Sequence, residues 1–252
     1  MGGSARRAAR NRQQGSDPHM SSAPPTGRQS RRFYLCRRRA CPAAGVVGVE
    51  FWRKHDDSHV ISRHAVMGYS ISWIAFQTND KHRALSLIGL VDTGEADEAN
   101  EAPVSGATLP TGWYVVFFND YSFTTPERLA TFSADCAVVA CQVEEHVMAS
   151  GSFLYEEGRR VWSVTHESER GRYDLSVDGE PPDVFCSLRD SLFEEQDGAG
   201  GEKADVDFVF DIPVQLAAEL CGYKHDRWKF DWGEPAFFRL EPAKRRSWLR
   251  WR

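Results

Sequence analysis

A change of composition at Met67 limits most strongly what this chain of 252 residues can fold into. Residues 1–66 contain 13 Lys and Arg against 4 Asp and Glu, whereas residues 67–252 contain 18 against 32. The first 30 residues are rich in Arg, Ser, Gly, Pro and Gln and contain almost no aliphatic side chains. Such a segment cannot bury enough apolar surface to offset chain entropy. We therefore predict that residues 1–66 are a disordered basic leader outside the native fold.

Four explanations of this leader are open. Its arginines suit a nucleic-acid-binding arm, although no stacking aromatic residues alternate with them. Residues 30–35, Ser-Arg-Arg-Phe-Tyr-Leu, resemble a twin-arginine export signal, but three further arginines precede the short apolar stretch. An organellar transit peptide would need an amphipathic repeat that the leader lacks. We favour an over-extended gene start, or a cloning remnant, with Met67 as the first native residue.

The acidic part of the chain, residues 67–252, is long enough for one domain with a sizeable core. It contains no apolar run near the roughly 18 residues that indicate a transmembrane helix. Its excess of carboxylates repels anionic membrane surfaces and nucleic-acid phosphates. We therefore expect no membrane and no nucleic-acid partner. A basic protein is the macromolecular partner that this charge favours, although an acidic surface also serves solubility alone.

The cysteines of this part do not indicate a metal site. They are Cys136, Cys141, Cys186 and Cys221, and none of them form a Cys-x-x-Cys pair. Cys136 and Cys141 are five residues apart, which on a strand places their side chains on opposite faces. We expect reduced thiols, a cytoplasmic location, no metal and no cofactor.

The strand pattern predicts an antiparallel sheet. Tyr69, Ile71 and Trp73 alternate with serines, which is the period of a half-buried strand. The continuous apolar run at 113–118 predicts a central strand that is buried on both faces. Further strands are expected at 137–145, 152–156, 159–166 and 173–177, with a last strand inside 228–240. The acidic, turn-rich stretch from 91 to 112 is predicted to be a long surface loop.

Capping and proline signals predict helices near 80–88, 126–132, 183–192 and 211–221. Together these elements predict an α+β fold. Its antiparallel meander has about five to six strands, and three to four helices pack mainly on one face. The domain is expected to cover residues 67–241, followed by a basic tail at 242–252.

Glu144, His146 and His166 are the candidate catalytic residues. Two imidazoles and a carboxylate could perform acid–base chemistry or approach a metal ion together. On a strand, Glu144 and His146 would share a face, and His166 could lie near them across the sheet. The ordinary alternative is a set of charged strand ends at the surface.

Three further groups are candidates for binding. Asp205 and Asp207 follow a glycine-rich turn, but the EF-hand pattern is absent, and the exposed face of a strand explains them as well. Trp228, Trp232 and Phe237 belong to an aromatic segment that suits either a recognition surface or the packing of a last strand. A third group, around His225, could orient a substrate or form an ordinary surface turn.

The common catalytic motifs are missing from the sequence. It has no Walker loop, no Rossmann glycine fingerprint, no His-Glu-x-x-His and no Gly-x-Ser-x-Gly. These absences argue against the common nucleotide-dependent, zinc-protease and serine-hydrolase classes. An enzyme with dispersed catalytic residues stays open.

Three segments of the sequence resemble segments of a protein family. They are Gly-Tyr-Ser-Ile-Ser-Trp-Ile-Ala-Phe at 68–76, Cys-Gln-Val-Glu-Glu-His-Val-Met at 141–148, and Asp-Val-Asp-Phe-Val-Phe-Asp-Ile-Pro-Val at 205–214. They are similar to segments of a family of uncharacterised small bacterial proteins. The resemblance spans most of 67–241 and none of the leader, and it implies no assigned activity.

Two functions are therefore consistent with the sequence. The first is a non-enzymatic cytosolic interaction protein whose acidic domain binds a basic partner, as an immunity protein binds a basic toxin. The alternative is a small hydrolase or metal-dependent enzyme that uses Glu144, His146 and His166. The alternative requires these three side chains to converge in one pocket.

Overall fold

The computed structural model describes residues 68–243, so the basic leader and nearly all of the basic tail lie outside the described residues. Within this range the chain forms one antiparallel sheet of nine strands and four α-helices. The predicted α+β class is therefore confirmed. The strand number is higher than the five to six that the sequence pattern predicts. No helix in the described range combines the length and the apolar character needed to cross a membrane.

The strands are β1 (Ser70–Phe76), β2 (Leu90–Ala96), β3 (Val104–Thr108), β4 (Tyr114–Phe118), β5 (Val138–Glu144), β6 (Ala149–Glu156), β7 (Arg159–Glu167), β8 (Ser176–Gly179) and β9 (Phe238–Pro242). The helices are α1 (Lys81–Ile88), α2 (Pro126–Phe132), α3 (Val184–Ala199) and α4 (Asp211–Cys221). Across the sheet the strands run in the order β2-β9-β3-β4-β1-β5-β6-β7-β8.

The first strand lies in the middle of this sheet, between β4 and β5. Its two-residue period places Ile71, Trp73 and Ala75 on one face, and Ile74 and Phe76 on the other. All five side chains are buried because both faces are covered. Strand β4 is buried along its whole length, as its continuous apolar run predicts.

The four helices divide evenly between the two faces of the sheet. Helix α4 packs on the face that carries Trp73, and α3 packs beside α4 over Trp162 of β7. On the opposite face, Leu85 of α1 and Leu129 of α2 pack against the side chains of β1, β4 and β5. The domain is thus a three-layer structure, rather than a sheet with its helices mainly on one side.

The stretch predicted as a long surface loop contains two strands, β2 and β3. Strand β2 is one of the two edge strands, and most of its side chains are exposed. Its ladder partner is β9, which lies more than 140 residues further along the chain. An exposed edge strand is held by backbone hydrogen bonds and needs no apolar alternation, so the residue pattern alone does not reveal it.

Candidate functional site

Glu144 and His146 lie together at the end of β5. Nδ1 of His146 is 2.7 Å from Oε1 of Glu144, and the backbone N–H of His146 donates to the same oxygen. The Ser70 hydroxyl donates to the other carboxylate oxygen. Burial alone raises the pKa of Glu144, but these hydrogen bonds outweigh burial and hold the pKa below its usual value. The pair is a solvent-exposed contact, since 57% of the His146 side chain is accessible.

His166 lies on the other face of the sheet. Glu144 pairs with Ala149, and Ala149 pairs with Glu167, so these three residues share the face covered by α1 and α2. His166 pairs with Ser150 and therefore faces α4. The structure brings Glu144 and His146 together but does not bring His166 to them. Within residues 68–243, no group of three or more His, Cys, Asp or Glu side chains could hold a metal ion.

His166 instead forms a buried ion pair with Asp207. Its Nε2 lies 3.1 Å from Oδ2 of Asp207, its Nδ1 lies 2.6 Å from the backbone oxygen of Asp174, and both paired side chains are fully buried. Arg172 also donates to Oδ2 of Asp207, at 3.0 Å, and the N–H of Phe210 donates to Oδ1. Asp207 is therefore saturated by internal partners.

These contacts shift both pKa values. Burial alone lowers the pKa of His166, but the hydrogen bonds to Asp207 and Asp174 outweigh burial and raise it. Burial alone raises the pKa of Asp207, but His166 and Arg172 lower it to about 2. Both shifts favour the charged forms of the pair. The pair ties the end of β7 to the segment before α4, and it leaves Asp207 unable to serve as a surface ligand. Asp205, two residues earlier, is exposed.

The three aromatic candidates have different surroundings. Phe237 is buried and packs edge-on against Phe117, so it is a core residue. Trp232 is half-buried and stacks on Phe230, with ring centroids 4.8 Å apart. Trp228 is 70% exposed, and Nζ of Lys229 lies 5.7 Å from its ring. Of the three, only Trp228 presents its ring to solvent.

His225 packs against Tyr69, whose side chain is 42% exposed. Its ring meets that of Tyr69 edge to face, with centroids 4.9 Å apart. Both ring nitrogens are buried and have no hydrogen-bond partner among residues 68–243. Burial lowers the pKa of His225 to about 4, although the Asp226 carboxylate opposes the shift. At neutral pH His225 is therefore an uncharged ring in an aromatic contact.

Two buried thiols lie in the core between the sheet and α4. Cys141 and Cys221 are fully buried free cysteines. Burial raises the pKa of each thiol, to about 12 for Cys221. Because the thiolate is the nucleophile, neither group is reactive at neutral pH.

Helix α3 presents an acidic face that was not among the sequence candidates. Its members are exposed and follow helical spacing from the N-cap to the last turn, and they are Asp183, Asp190, Glu194 and Asp197. The opposite side of the helix is buried through Phe185 and Leu192. Arg189 is the single basic residue of α3, and it contacts Asp190 at 2.6 Å. The sequence contained a signal for this face, because successive acids are seven, four and three residues apart. Residues with this spacing lie on one side of a helix.

Comparison with protein-family models, with curated proteins and with solved structures finds no match to this chain. The basis for a functional proposal is therefore the geometry of the described residues themselves.

Proposed function

We propose that the domain is a non-enzymatic binding protein whose acidic surface recognises a basic protein. The observation that carries the proposal is the acidic face of α3, defined by Asp183, Asp190, Glu194 and Asp197. It belongs to a range, residues 68–243, that contains 32 Asp and Glu against 13 Lys and Arg. A surface of one sign steers an oppositely charged partner and disfavours partners of like charge.

The acidic face of α3 is better suited to this role than the acidic stretch around β2. In that stretch Asp97 accepts hydrogen bonds from the N–H groups of Glu101 and Ala102, so its carboxylate holds its own loop. On α3, Asp190 is likewise paired with Arg189, and Asp197 accepts a hydrogen bond from the Tyr173 hydroxyl. The difference is that these carboxylates project from a helix that Phe185 and Leu192 anchor in the core. Charges on a rigid element lose less entropy when a partner binds.

Trp228 adds an exposed aromatic ring outside α3. Aromatic residues with accessible faces are enriched among the residues that dominate protein–protein binding. The indole face of Trp228 also attracts cations, as the nearby ammonium group of Lys229 illustrates. Lysine and arginine side chains of a basic partner would find the same chemistry there. An immunity-type role, in which the partner is a basic toxin, is one specific form of this proposal.

The residues that the enzymatic alternative requires do not lie together in one site. It requires Glu144, His146 and His166 in one pocket, whereas the strand register divides Glu144 and His166 between the two faces of the sheet. The buried partners of His166 are Asp207 and a backbone oxygen, which leave no free ring nitrogen for substrate.

The first test measures partner capture by the full chain. The tagged protein is incubated with extract of its native host at about 50 mM salt, and the dissociation constant of any captured protein is then measured. We expect a basic partner. Neutralising the α3 face with Asp183→Asn, Asp190→Asn and Glu194→Gln should weaken binding at least about tenfold.

A matched variant, Glu98→Gln with Glu101→Gln and Glu234→Gln, removes three exposed charges elsewhere on the surface. It should change the dissociation constant less than about twofold, because salt screens exposed charges that lie far from the bound partner. Equal weakening by both variants would show that net charge alone acts. Recovery of an acidic partner, or of no specific partner, would contradict the proposal.

A further inference from the structure

The turn at residues 224–229, which follows α4, is held to the rest of the domain by its side chains. Among the described residues, no backbone–backbone hydrogen bond joins this turn to another element. Its own bond runs from the N–H of Arg227 to the backbone oxygen of Lys224, at 3.3 Å. The exposed Trp228 lies in the same turn. The position of the turn therefore depends on side-chain contacts.

His225 makes such a contact with the residue directly before β1. Its ring meets the Tyr69 ring at an interplanar angle of 87°, with centroids 4.9 Å apart. The backbone of Tyr69 is fixed on both sides, because its N–H donates to the Glu145 carboxylate at 2.9 Å and its oxygen accepts from the Glu145 N–H at 2.8 Å. The His225 ring thus packs against a residue that the end of β5 holds in place.

The contact suits His225 only while its ring is uncharged. Both ring nitrogens are buried and have no hydrogen-bond partner among residues 68–243. An imidazolium carries two N–H donors, and burying a charged donor without an acceptor is unfavourable. Protonation therefore favours a position of the ring in which both nitrogens reach water.

The charged groups near His225 do not offset this cost. The Asp226 carboxylate favours the protonated ring, but it already accepts a hydrogen bond from the Lys224 ammonium group at 2.9 Å. That ammonium group disfavours the protonated ring. The next carboxylate, Asp211 at the start of α4, also lies against Lys224, at 3.6 Å. Both carboxylates are therefore neutralised mainly by Lys224.

From these contacts we infer that His225 is a pH-sensitive switch, whose protonation releases the turn at residues 224–229 from Tyr69. The released form is the one in which the His225 ring meets solvent. Because the turn carries Trp228, its release moves an exposed aromatic ring while the sheet stays folded. The switch does not depend on the binding of a basic protein through α3.

The pH range of the switch follows from the two environments of the ring. The ordinary pKa of histidine is 6.5, whereas burial lowers the pKa of His225 in this contact to about 4. Between these values the released form binds more protons than the packed form. The contact is therefore fully stable above pH 6.5 and weakens as the pH falls towards 4. The ratio of released to packed turn should rise by up to about 300-fold over this range, since each pH unit contributes about tenfold.

NMR spectroscopy of the full chain, with isotope-labelled histidine and tyrosine rings, tests the inference between pH 7.5 and 4. We expect the ring signals of His225 and Tyr69 to lose their mutual ring-current shifts and their nuclear Overhauser contact in acid. The midpoint should lie between about pH 4 and 6.5. The signals of Phe117, which is buried in β4, should stay unchanged and show that the sheet is folded.

His225→Phe keeps an aromatic ring in the contact and removes the group that binds the proton. The ring signals of Tyr69 and Trp228 should then no longer respond to pH in this range. His82→Phe is the matched control, because His82 is an exposed histidine of α1 outside the turn. It should keep the response of the wild type.

Two results would overturn the inference. A response to pH that survives His225→Phe would assign the release to carboxylates, for example to Asp211, whose pKa burial raises. A contact between Tyr69 and His225 that persists in the wild type at pH 4 would show that no release occurs. The second result needs no variant, so it decides the matter even if His225→Phe does not fold.

Discussion

At the scale of single residues, the buried pair of His166 and Asp207 is the most consequential contact. The two side chains are fully buried, and Arg172 donates to the same carboxylate oxygen. Breaking such a pair leaves an uncompensated charge in the interior, which is far costlier than losing a surface ion pair. The pair therefore acts on the stability of the fold rather than on chemistry at the surface.

The pH dependence of this contribution follows from the two pKa shifts. The pKa of His166 is raised, so its contribution is full below its ordinary value of 6.5 and is lost as the pH rises through the folded-state value. The pKa of Asp207 is lowered from 3.8 to about 2, so its contribution is full above 3.8 and is lost as the pH falls towards 2. Both contributions are complete between about pH 4 and 6.5.

We predict that Asp207→Asn lowers the free energy of unfolding by about 3 kcal/mol at pH 5 to 6. The difference from the wild type should narrow towards pH 2 and above the raised pKa of His166. Urea unfolding at a series of pH values measures it. Asp205→Asn, at an exposed position two residues away, should change stability by less than about 0.5 kcal/mol. A difference that does not vary with pH would contradict the assignment of charges.

At the scale of elements, the helical repeat in the sequence of α3 determines both the buried side and the acidic side of this helix. Phe185 and Leu192 anchor one side of the helix in the core, and the acidic face lies on the other side. The helix is capped by Gly200, which has a φ of 119°, and the N–H of Gly200 donates to the backbone oxygen of Asp197 at 3.2 Å. A left-handed cap of this kind favours glycine, because other residues meet steric strain there.

Two glycine substitutions near this end should act in opposite directions. A Cβ at Gly198, inside the last turn, would meet nothing within 4 Å. Gly198→Ala should therefore raise the free energy of unfolding by about 0.5 to 1 kcal/mol, through helix propensity and a less flexible unfolded chain. Gly200→Ala should lower it by about 1 kcal/mol because of its positive φ. Chemical denaturation measures both, and a shift of the same sign in the two variants would refute this account of the helix end.

At the scale of the whole molecule, the order of the strands determines how the domain is stabilised. Strands β4, β1 and β5 are adjacent in the middle of the sheet, and their apolar side chains are buried on both faces. Strands β2 and β8 are the two edges. Strand β8 has only four residues, all exposed, and it carries Asp178. A short, charged edge discourages pairing with further chains.

We predict that hydrogen exchange follows this order. Amides of β1, β4 and β5 should exchange most slowly, near the global unfolding rate, because each strand is paired on both sides and covered by helices. Amides of β8 should exchange fastest among the strands, with those of β2 next. Peptide-level exchange and mass spectrometry on the full chain measure this. Protection of β8 equal to that of β5 would contradict the order of strands in the sheet.

Local sequence signals predicted much of this fold. The alternation in β1, the apolar run of β4 and the proline at the start of α2 each depend on neighbouring residues, so the chain encodes them without knowledge of its tertiary contacts. The same holds for the α+β class and for the acidic character of the domain. The spacing of acids on α3 is equally local.

Only the tertiary structure decided the positions that depend on distant pairing. Strand β2 exists because β9 pairs with it, and neither strand shows a strong pattern of its own. His166 lies opposite Ser150 rather than beside Glu144, and a register shifted by one residue would have reversed its face. The burial of Asp207 likewise arises where distant segments meet. Periodicity is a property of neighbours along the chain, whereas register, face and burial are properties of residues that only folding brings together.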